Sequence, residues 1–332
     1  MGFDVANDTL SKVSDEMNTI QEQKIIFVGG KGGVGKSTSS AALALSYAQS
    51  GYNTLVVSTD PAHNLGDIFH QPLSHEKKQL SEHLWGIEID SETETKRYMN
   101  QVKDNLKGFV KSKMVEEVHR QIDLASASPG AEEAALFDRL ITILIEEQKQ
   151  FDKIIFDTAP TGHTIRLLTL PELMNIWIDG MLEKRQKTNE NYTQLLNDGE
   201  PVDDPIYDIL QQRKEKFSLA RDVILDTERT GFVFVLIPER LPIIETKHAI
   251  KQLEQHNLHV RNLIVNKVLP EEADGQFLEK RRQIEVNYLK SIDEQFKDQA
   301  VLKVPLYKED ISDLGRLNVF ADQLTSLNKT HA

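Results

Sequence analysis

The sequence predicts an α/β fold: a doubly wound, mostly parallel sheet with a helical subdomain inserted into it. Three observations carry that expectation. Short β-branched runs alternate with helical stretches along most of the chain. Several runs ("IIFV", "IIF", "FVFVLI") are apolar without alternation. A glycine-rich decapeptide, "GGKGGVGKST" at 29–38, joins the first run to a helical stretch. Unbroken apolar runs of this length fit strands covered on both faces, as in a parallel sheet.

The expected strands, in order, are Lys24–Val28, Thr54–Ser58, Gly86–Ile89, Lys153–Phe156, Phe232–Ile237, Asn262–Val265 and Val301–Val304. Two stretches break the alternation with long helical patterns, "TKRYMNQVKDNLKGFVKSKMVEEVHRQI" and "DPIYDILQQRKEKFSLARDVIL". The expected organisation is therefore a core of residues 22–90, 150–166 and 229–327. Segments 91–149 and 167–228 form the helical subdomain, residues 1–21 a helical extension, and "NDGEPVDDP" at 197–205 an exposed acidic loop.

Composition narrows the function classes. The 332 residues are 39% hydrophobic and 27% charged, as in a water-soluble protein with a sizeable core. A net charge of −13 speaks against a general nucleic-acid binder, which shows a basic balance or stripe. The chain has no cysteine, which removes disulfides, thiolate catalysis, iron–sulfur ligation and cysteine-built zinc sites. The start "MGFDVANDTL" lacks a basic patch followed by an apolar stretch, and Ala6 stands where a myristoylation signal wants Ser or Thr. No run is long enough to span a bilayer, so the expected location is the cytoplasm.

Three motifs carry chemistry. The first runs through Gly30, Lys31, Gly32, Gly33, Val34, Gly35, Lys36 and Ser37 and matches the phosphate-loop spacing G-x4-G-K-[ST] at every fixed position. Glycines let successive backbone N–H groups turn toward an anion, and the helix behind adds its positive end. Lys36 is placed to reach the β- and γ-phosphates of a nucleoside triphosphate, Ser37 to ligate Mg²⁺ and Thr38 to touch an earlier phosphate. Lys31 is surplus to that plan. The second motif, "VVSTDPAHNLGDIF", puts Asp60 at a strand's carboxyl end with Pro61 holding the turn. Asp60 fits either a water-activating carboxylate or a turn cap, and His63 fits a plain surface position. In the third, "IIFDTAPTGHTIRLL", Asp157 ends an apolar strand where a metal-supporting aspartate belongs. Thr161, Gly162 and His163 follow in a loop of small residues suited to moving with a γ-phosphate; His163 fits a sensor or a structural hydrogen-bonder. Asn266 and Lys267, after "NLIV", stand where a base-reading side chain would be useful.

The loop with its additional lysine, "STDPAHN" and "DTAPTGHTIR" together resemble the ArsA family of P-loop ATPases. That family holds arsenical-pump-driving ATPases and the ATPase that targets tail-anchored membrane proteins. The resemblance runs from Lys24 to about Leu324, and "VPLYKEDISDLGRL" resembles the family's nucleotide-contact loop and closing helix. It implies a Mg²⁺-dependent ATPase built as a homodimer, with ATP as substrate. It implies that Lys31 crosses the dimer interface to the other subunit's nucleotide, as an arginine finger does. It makes Asp60 the water-activating carboxylate and Asn64 a γ-phosphate contact. Asp157 becomes the residue behind Mg²⁺, through water, and Pro61, His63, Thr161, Gly162 and His163 fall in the switch segments. Asn266 with Pro305, Leu306 and Tyr307 becomes the adenine surroundings.

The chain also departs from the family. Trivalent arsenic seeks sulfur ligands, and this chain offers no thiol. Members that target tail-anchored proteins clamp zinc with a CxxC pair; here Gly275 and Leu278 stand near those positions. Neither a cysteine-built zinc site nor a cysteine-built arsenite site is expected. Two stretches are candidates for lining a client groove, the helical stretch 98–122 and "LLTLPELMNIWIDGML" at 167–182, whose apolar stripe fits equally a core face. Three outputs follow as expectations: driving a membrane pump, targeting or chaperoning a hydrophobic helical client, and, least supported, a partition or positioning scaffold.

Overall fold

The computed structural model describes residues 22–60, 64–106, 115–126, 130–158, 168, 170, 172, 174–176, 178–187, 204–311 and 313–329. The chain divides into two compact units, residues 1–90, 148–165 and 225–332 in the first and 91–147 and 166–224 in the second. The extension expected at 1–21 and most of the expected acidic loop lie outside the described residues.

The first unit is built on eight strands: β1 (Ile25–Gly30), β2 (Thr54–Ser58), β3 (Lys78–Ser81), β4 (Leu84–Glu88), β5 (Lys153–Asp157), β6 (Thr230–Leu236), β7 (Asn262–Val268) and β8 (Ala300–Pro305). They pair in the order β3-β4-β2-β5-β1-β6-β7-β8. Every pairing is parallel except that of β3 with β4. β3 is absent from the expected strands. Its sequence, "KQLS", has a single apolar residue, and the strand exists because a tight turn folds it back onto β4. β1 runs two residues further than expected because Gly29 and Gly30 continue the pairing with Phe234 and Val235 of β6. β7 is likewise longer, and its register with β8 shifts between Val265 and Val268.

β1 lies in the middle of the sheet and is buried on both faces. On one face Phe27 stacks between Phe156 of β5 (ring centroids 4.7 Å apart) and Phe232 of β6 (5.5 Å), residues directly opposite it in register. On the other, Ile26 and Val28 meet helix α1 (Lys36–Gln49) and helix α9 (Leu314–Lys329). The inward side of α1 is largely alanine, so the helix lies close to the strands, while Leu317, Phe320 and Leu324 of α9 fill the space beside it. Burying one such Phe or Leu side chain stabilises the fold by about 1.5–3 kcal/mol. The remaining helices of this unit are α2 (Asn64–Phe69), α7 (Arg240–Glu254) and α8 (Gln276–Gln295).

The described part of the second unit is entirely helical: α3 (Ser91–Leu106), α4 (Val115–Ser126), α5 (Ala131–Glu146) and α6 (Pro205–Leu225), with residues 178–187 also helical. Phe137 of α5 packs on Phe217 of α6 at 5.2 Å. Arg185 grips Asp204 through two hydrogen bonds of 2.7 and 3.0 Å. Among the described residues no helix is long and apolar enough to cross a membrane.

Candidate nucleotide site

The order of strands around β1 sets the site. β5 lies on one side of β1 and β6 on the other, and the chain leaves β1 through the glycine loop to enter α1. Ligands of open α/β sheets settle outside the carboxyl ends of the strands at such a reversal. Two of the loop glycines are required by geometry. Gly30 has φ +147°, and a Cβ there would stand 2.3 Å from the Val235 carbonyl oxygen. Gly35 has φ +98°, and a Cβ there would stand 2.3 Å from Asn266 Nδ2. Gly35 precedes α1 without a side-chain cap, and the first turn carries no acidic residue. The helix therefore presents bare N–H groups at its positive end, an arrangement that favours an anion.

Lys36 opens α1 and is 5% exposed. Its Nζ donates to the Lys31 carbonyl oxygen at 3.4 Å and lies 3.9 Å from Asp60 Oδ2. Both contacts are long, so the ammonium is held in the loop's mouth by groups that phosphate oxygens can replace. Asp60 sits just past β2, with its N–H donating to Ser58 Oγ at 3.2 Å.

Asp157 ends β5 opposite Val28 and is fully buried. Burial pushes its carboxyl pKa up to about 6, against the opposing pull of Ser37, Lys36 and Ser40. Ser40 Oγ lies 2.9 Å from the Lys36 carbonyl and 3.1 Å from Asp157 Oδ1, two acceptors for its single proton. Among the described residues Asp157 Oδ2, which is buried, has no hydrogen-bond partner. An orphaned carboxylate oxygen beside the Ser37 hydroxyl fits a hydrated Mg²⁺, a hard cation that takes oxygen ligands and keeps several waters. The carboxylate is fixed by its backbone: its carbonyl accepts the Thr59 N–H at 2.9 Å, and the next residue, Thr158, donates its hydroxyl to Val28 O at 2.8 Å.

Asn266 and Lys267 come from the irregular end of β7, where Lys267 has φ +58°. A bulge re-aims side chains that a regular strand would alternate. Here Asn266 Nδ2 donates to Val34 O at 2.9 Å and Lys267 Nζ to Gly33 O at 3.2 Å, so both side chains bind the phosphate loop itself. Pro305 ends β8, the Leu306 N–H donates to Val268 O at 2.7 Å, and Leu306 is exposed. Tyr307 turns its ring edge-on to Phe320, 5.8 Å away, and its hydroxyl to Gln323.

Lys31 is half-exposed and forms an ion pair with Glu245 of α7, Nζ to Oε1 2.8 Å. Asn64 is the first residue of α2. The first turn of that helix is pinned by Glu88, which is buried at the end of β4 and accepts the Gly66 N–H at 2.9 Å. Pro61, His63, Thr161, Gly162 and His163 lie outside the described residues. The structure thus gathers Lys36, Ser37, Asp60 and Asp157 around one point, with Asn266 behind the loop. Ser40, Glu88 and Glu245 were not singled out as functional by the sequence, whereas Lys267, marked beside Asn266 as a candidate base reader, instead donates to Gly33 O of the loop. Ser40 had a usable signal, one helical turn beyond Lys36, but the partners of Glu88, Glu245 and Lys267 follow from no spacing.

A glycine loop between the central strand of a parallel sheet and a helix, with a buried lysine and a strand-end aspartate, defines the P-loop nucleoside triphosphatases. The family model described as anion-transporting ATPase matches residues 23–326. The chain belongs to this ArsA-type ATPase family and is an ATPase. It is 35% identical over 298 residues to "Putative arsenical pump-driving ATPase 2" of Aquifex aeolicus, covering 90% of this chain and 98% of that protein. It is 31% identical over 317 residues to "ATPase ASNA1 homolog 1" of Paramecium tetraurelia, 92% of this chain and 94% of that one. It is 30% identical over 329 residues to "ATPase GET3A" of Arabidopsis thaliana, 97% and 88% respectively.

Proposed function

We propose that this ATPase is Mg²⁺-dependent and works as a homodimer, with ATP bound between two copies and Lys31 of each reaching the nucleotide held by the other. The observation that carries this reading is the pairing of a complete phosphate loop around buried Lys36 with a second loop cation, Lys31, that faces outward and is half-exposed. A cation that faces outward from its own loop is suited to a phosphate arriving on another surface.

In this scheme Ser37 and, through water, Asp157 would hold Mg²⁺, which would supply positive charge against the phosphate oxygens. Asp60 orients a water and takes its proton as the oxygen attacks the γ-phosphorus. The bond from that phosphorus to the β–γ bridging oxygen breaks, and ADP leaves with the electron pair. Lys36 and the second copy's Lys31 meet the charge that spreads over the transferred oxygens. The segments 59–67 and 157–166 hold the closed state while the γ-phosphate is present and release on its loss.

The closed state acts on a membrane pump or a hydrophobic client; relatives are named for arsenical pumps and for ASNA1 and GET3 ATPases. With no cysteine in the chain, a metalloid site built on thiolates is not part of the reading. Tail-anchored protein targeting is the second reading, supported by the helical unit; in its segment at 167–182, Leu168, Ile178 and Leu182 are buried and Ile176 is exposed.

Asp60→Asn tests the chemistry. It removes the proton acceptor and keeps the shape, so turnover should fall about 10²–10⁴-fold, the usual contribution of a general base. ATP affinity by equilibrium titration should stay within about threefold, the phosphate loop being intact. Undiminished turnover would remove Asp60 from the mechanism.

A further inference from the structure

The ion pair between Lys31 and Glu245 bears on when two copies can join. Glu245 lies on the outward side of α7, whose inward side is marked by buried Ile243, Thr246 and Ile250. Leu241 and Ile244 share the outward face with it, 61% and 39% exposed, at the i, i+3, i+4 spacing that makes helix neighbours. Its carboxylate holds Lys31 Nζ at 2.8 Å. The lysine that would cross to another protomer is therefore engaged within its own.

We infer that Glu245 is a latch: it keeps Lys31 at home in the lone protomer, and pairing around ATP exchanges the Glu245 carboxylate for the other copy's phosphate oxygens. The inference rests on the two-copy reading above and adds its regulation. A contact made only in the unpaired state is subtracted from the pairing equilibrium, because the pair forms only after the contact is given up. Both groups are well exposed, 38% and 45%, so the latch is a weak surface ion pair. Such pairs shift an equilibrium by about 1.4- to fivefold each. Two are undone per dimer, so removing the carboxylate strengthens pairing by about two- to twenty-five-fold. The latch holds against chance encounter and gives way to a triphosphate, which carries several negative charges against the single one of Glu245.

The test is sedimentation of the full chain across a range of protein concentrations with Mg²⁺ and a non-hydrolysable ATP analogue. Four forms are compared: wild type, Glu245→Gln, Lys31→Ala and the double variant Lys31→Ala with Glu245→Gln. The latch predicts a pairing midpoint about two- to twenty-five-fold lower for Glu245→Gln than for wild type. It also predicts no difference between Lys31→Ala and the double variant, since no lysine remains to be held. A midpoint that stays put or rises in Glu245→Gln overturns the latch while pairing stands. So does a shift of the same size in the Lys31→Ala background, which would place the carboxylate in plain interface repulsion. A wild type that sediments as one protomer throughout overturns the two-copy reading itself, and the latch with it.

Discussion

Gly35 shows how much of the site depends on a single missing carbon. Its backbone sits at φ +98° and its Cα faces Asn266 Nδ2, the group that holds the Val34 carbonyl. Alanine here adds about 1–2 kcal/mol of backbone strain and pushes Asn266 off the loop. That is small beside the stability of a domain, so Gly35→Ala should still unfold cooperatively while its ATP affinity falls at least about tenfold. Calorimetric titration with ATP and a thermal melt on the same sample separate the two effects; unchanged affinity would show that the Asn266–loop contact is incidental. The placement of Lys36, Ser37, Asp60 and Asp157 was legible in the sequence, because they stand at strand ends and a helix start, while the role of Asp60 came only from the resemblance. Glu245 was not: it meets Lys31 across 214 residues of chain, and only the sheet order brings α7 beside the loop. Lys267 was legible as a position but not as a contact, since its reach to Gly33 depends on a left-handed residue in an irregular strand end.

Among the elements, β5 carries a titrating group at each end, and the one far from the site has its own consequence. Lys153 is buried at the start of the strand, donates to Gln23 O at 2.7 Å and has the rings of Tyr47 and Tyr52 centred 5.0 and 5.3 Å from its ammonium. Burial pulls its pKa down from 10.5 to about 8, with Asp152 and Glu22 opposing. The unfolded chain keeps the ordinary value, so it holds a proton that the folded chain has released between about pH 8 and 10, and folding gains as pH rises through that window. Above about pH 10 the trend turns, because burial pushes the Tyr47 hydroxyl up and its stabilisation is lost as the unfolded phenol ionises. Lys153→Met should flatten the rise, whose steepest possible slope is about 1.4 kcal/mol per pH unit. Denaturant titrations at about pH 7.5, 8.5 and 9.5 read that slope; equal slopes in the two proteins would contradict this account. Seven strands were readable, and β1, β5 and β6 most directly, since a strand buried on both faces needs an unbroken apolar run. β3 was not, because a short edge strand owes its place to a turn and a neighbour rather than to its own residues.

For the whole molecule, sequence alone reached the kind of fold and the kind of chemistry because both lie in one continuous sheet and its loops. The homodimer came only from the resemblance, since no pattern within one chain tells whether an exposed residue such as Lys31 meets a second copy. The account stands on Lys31 acting in trans, and mixing two disabled proteins tests that most directly. Lys31→Ala keeps its own phosphate loop but has no cation to lend; Lys36→Ala has lost the lysine that holds its own phosphates but can still lend Lys31. Each alone should hydrolyse almost no ATP. Mixed in equal amounts, they should recover up to about a quarter of wild-type turnover, since half of randomly formed pairs are mixed and each has one complete site. A mixture as inactive as its two components, beside an active wild type, would contradict the account.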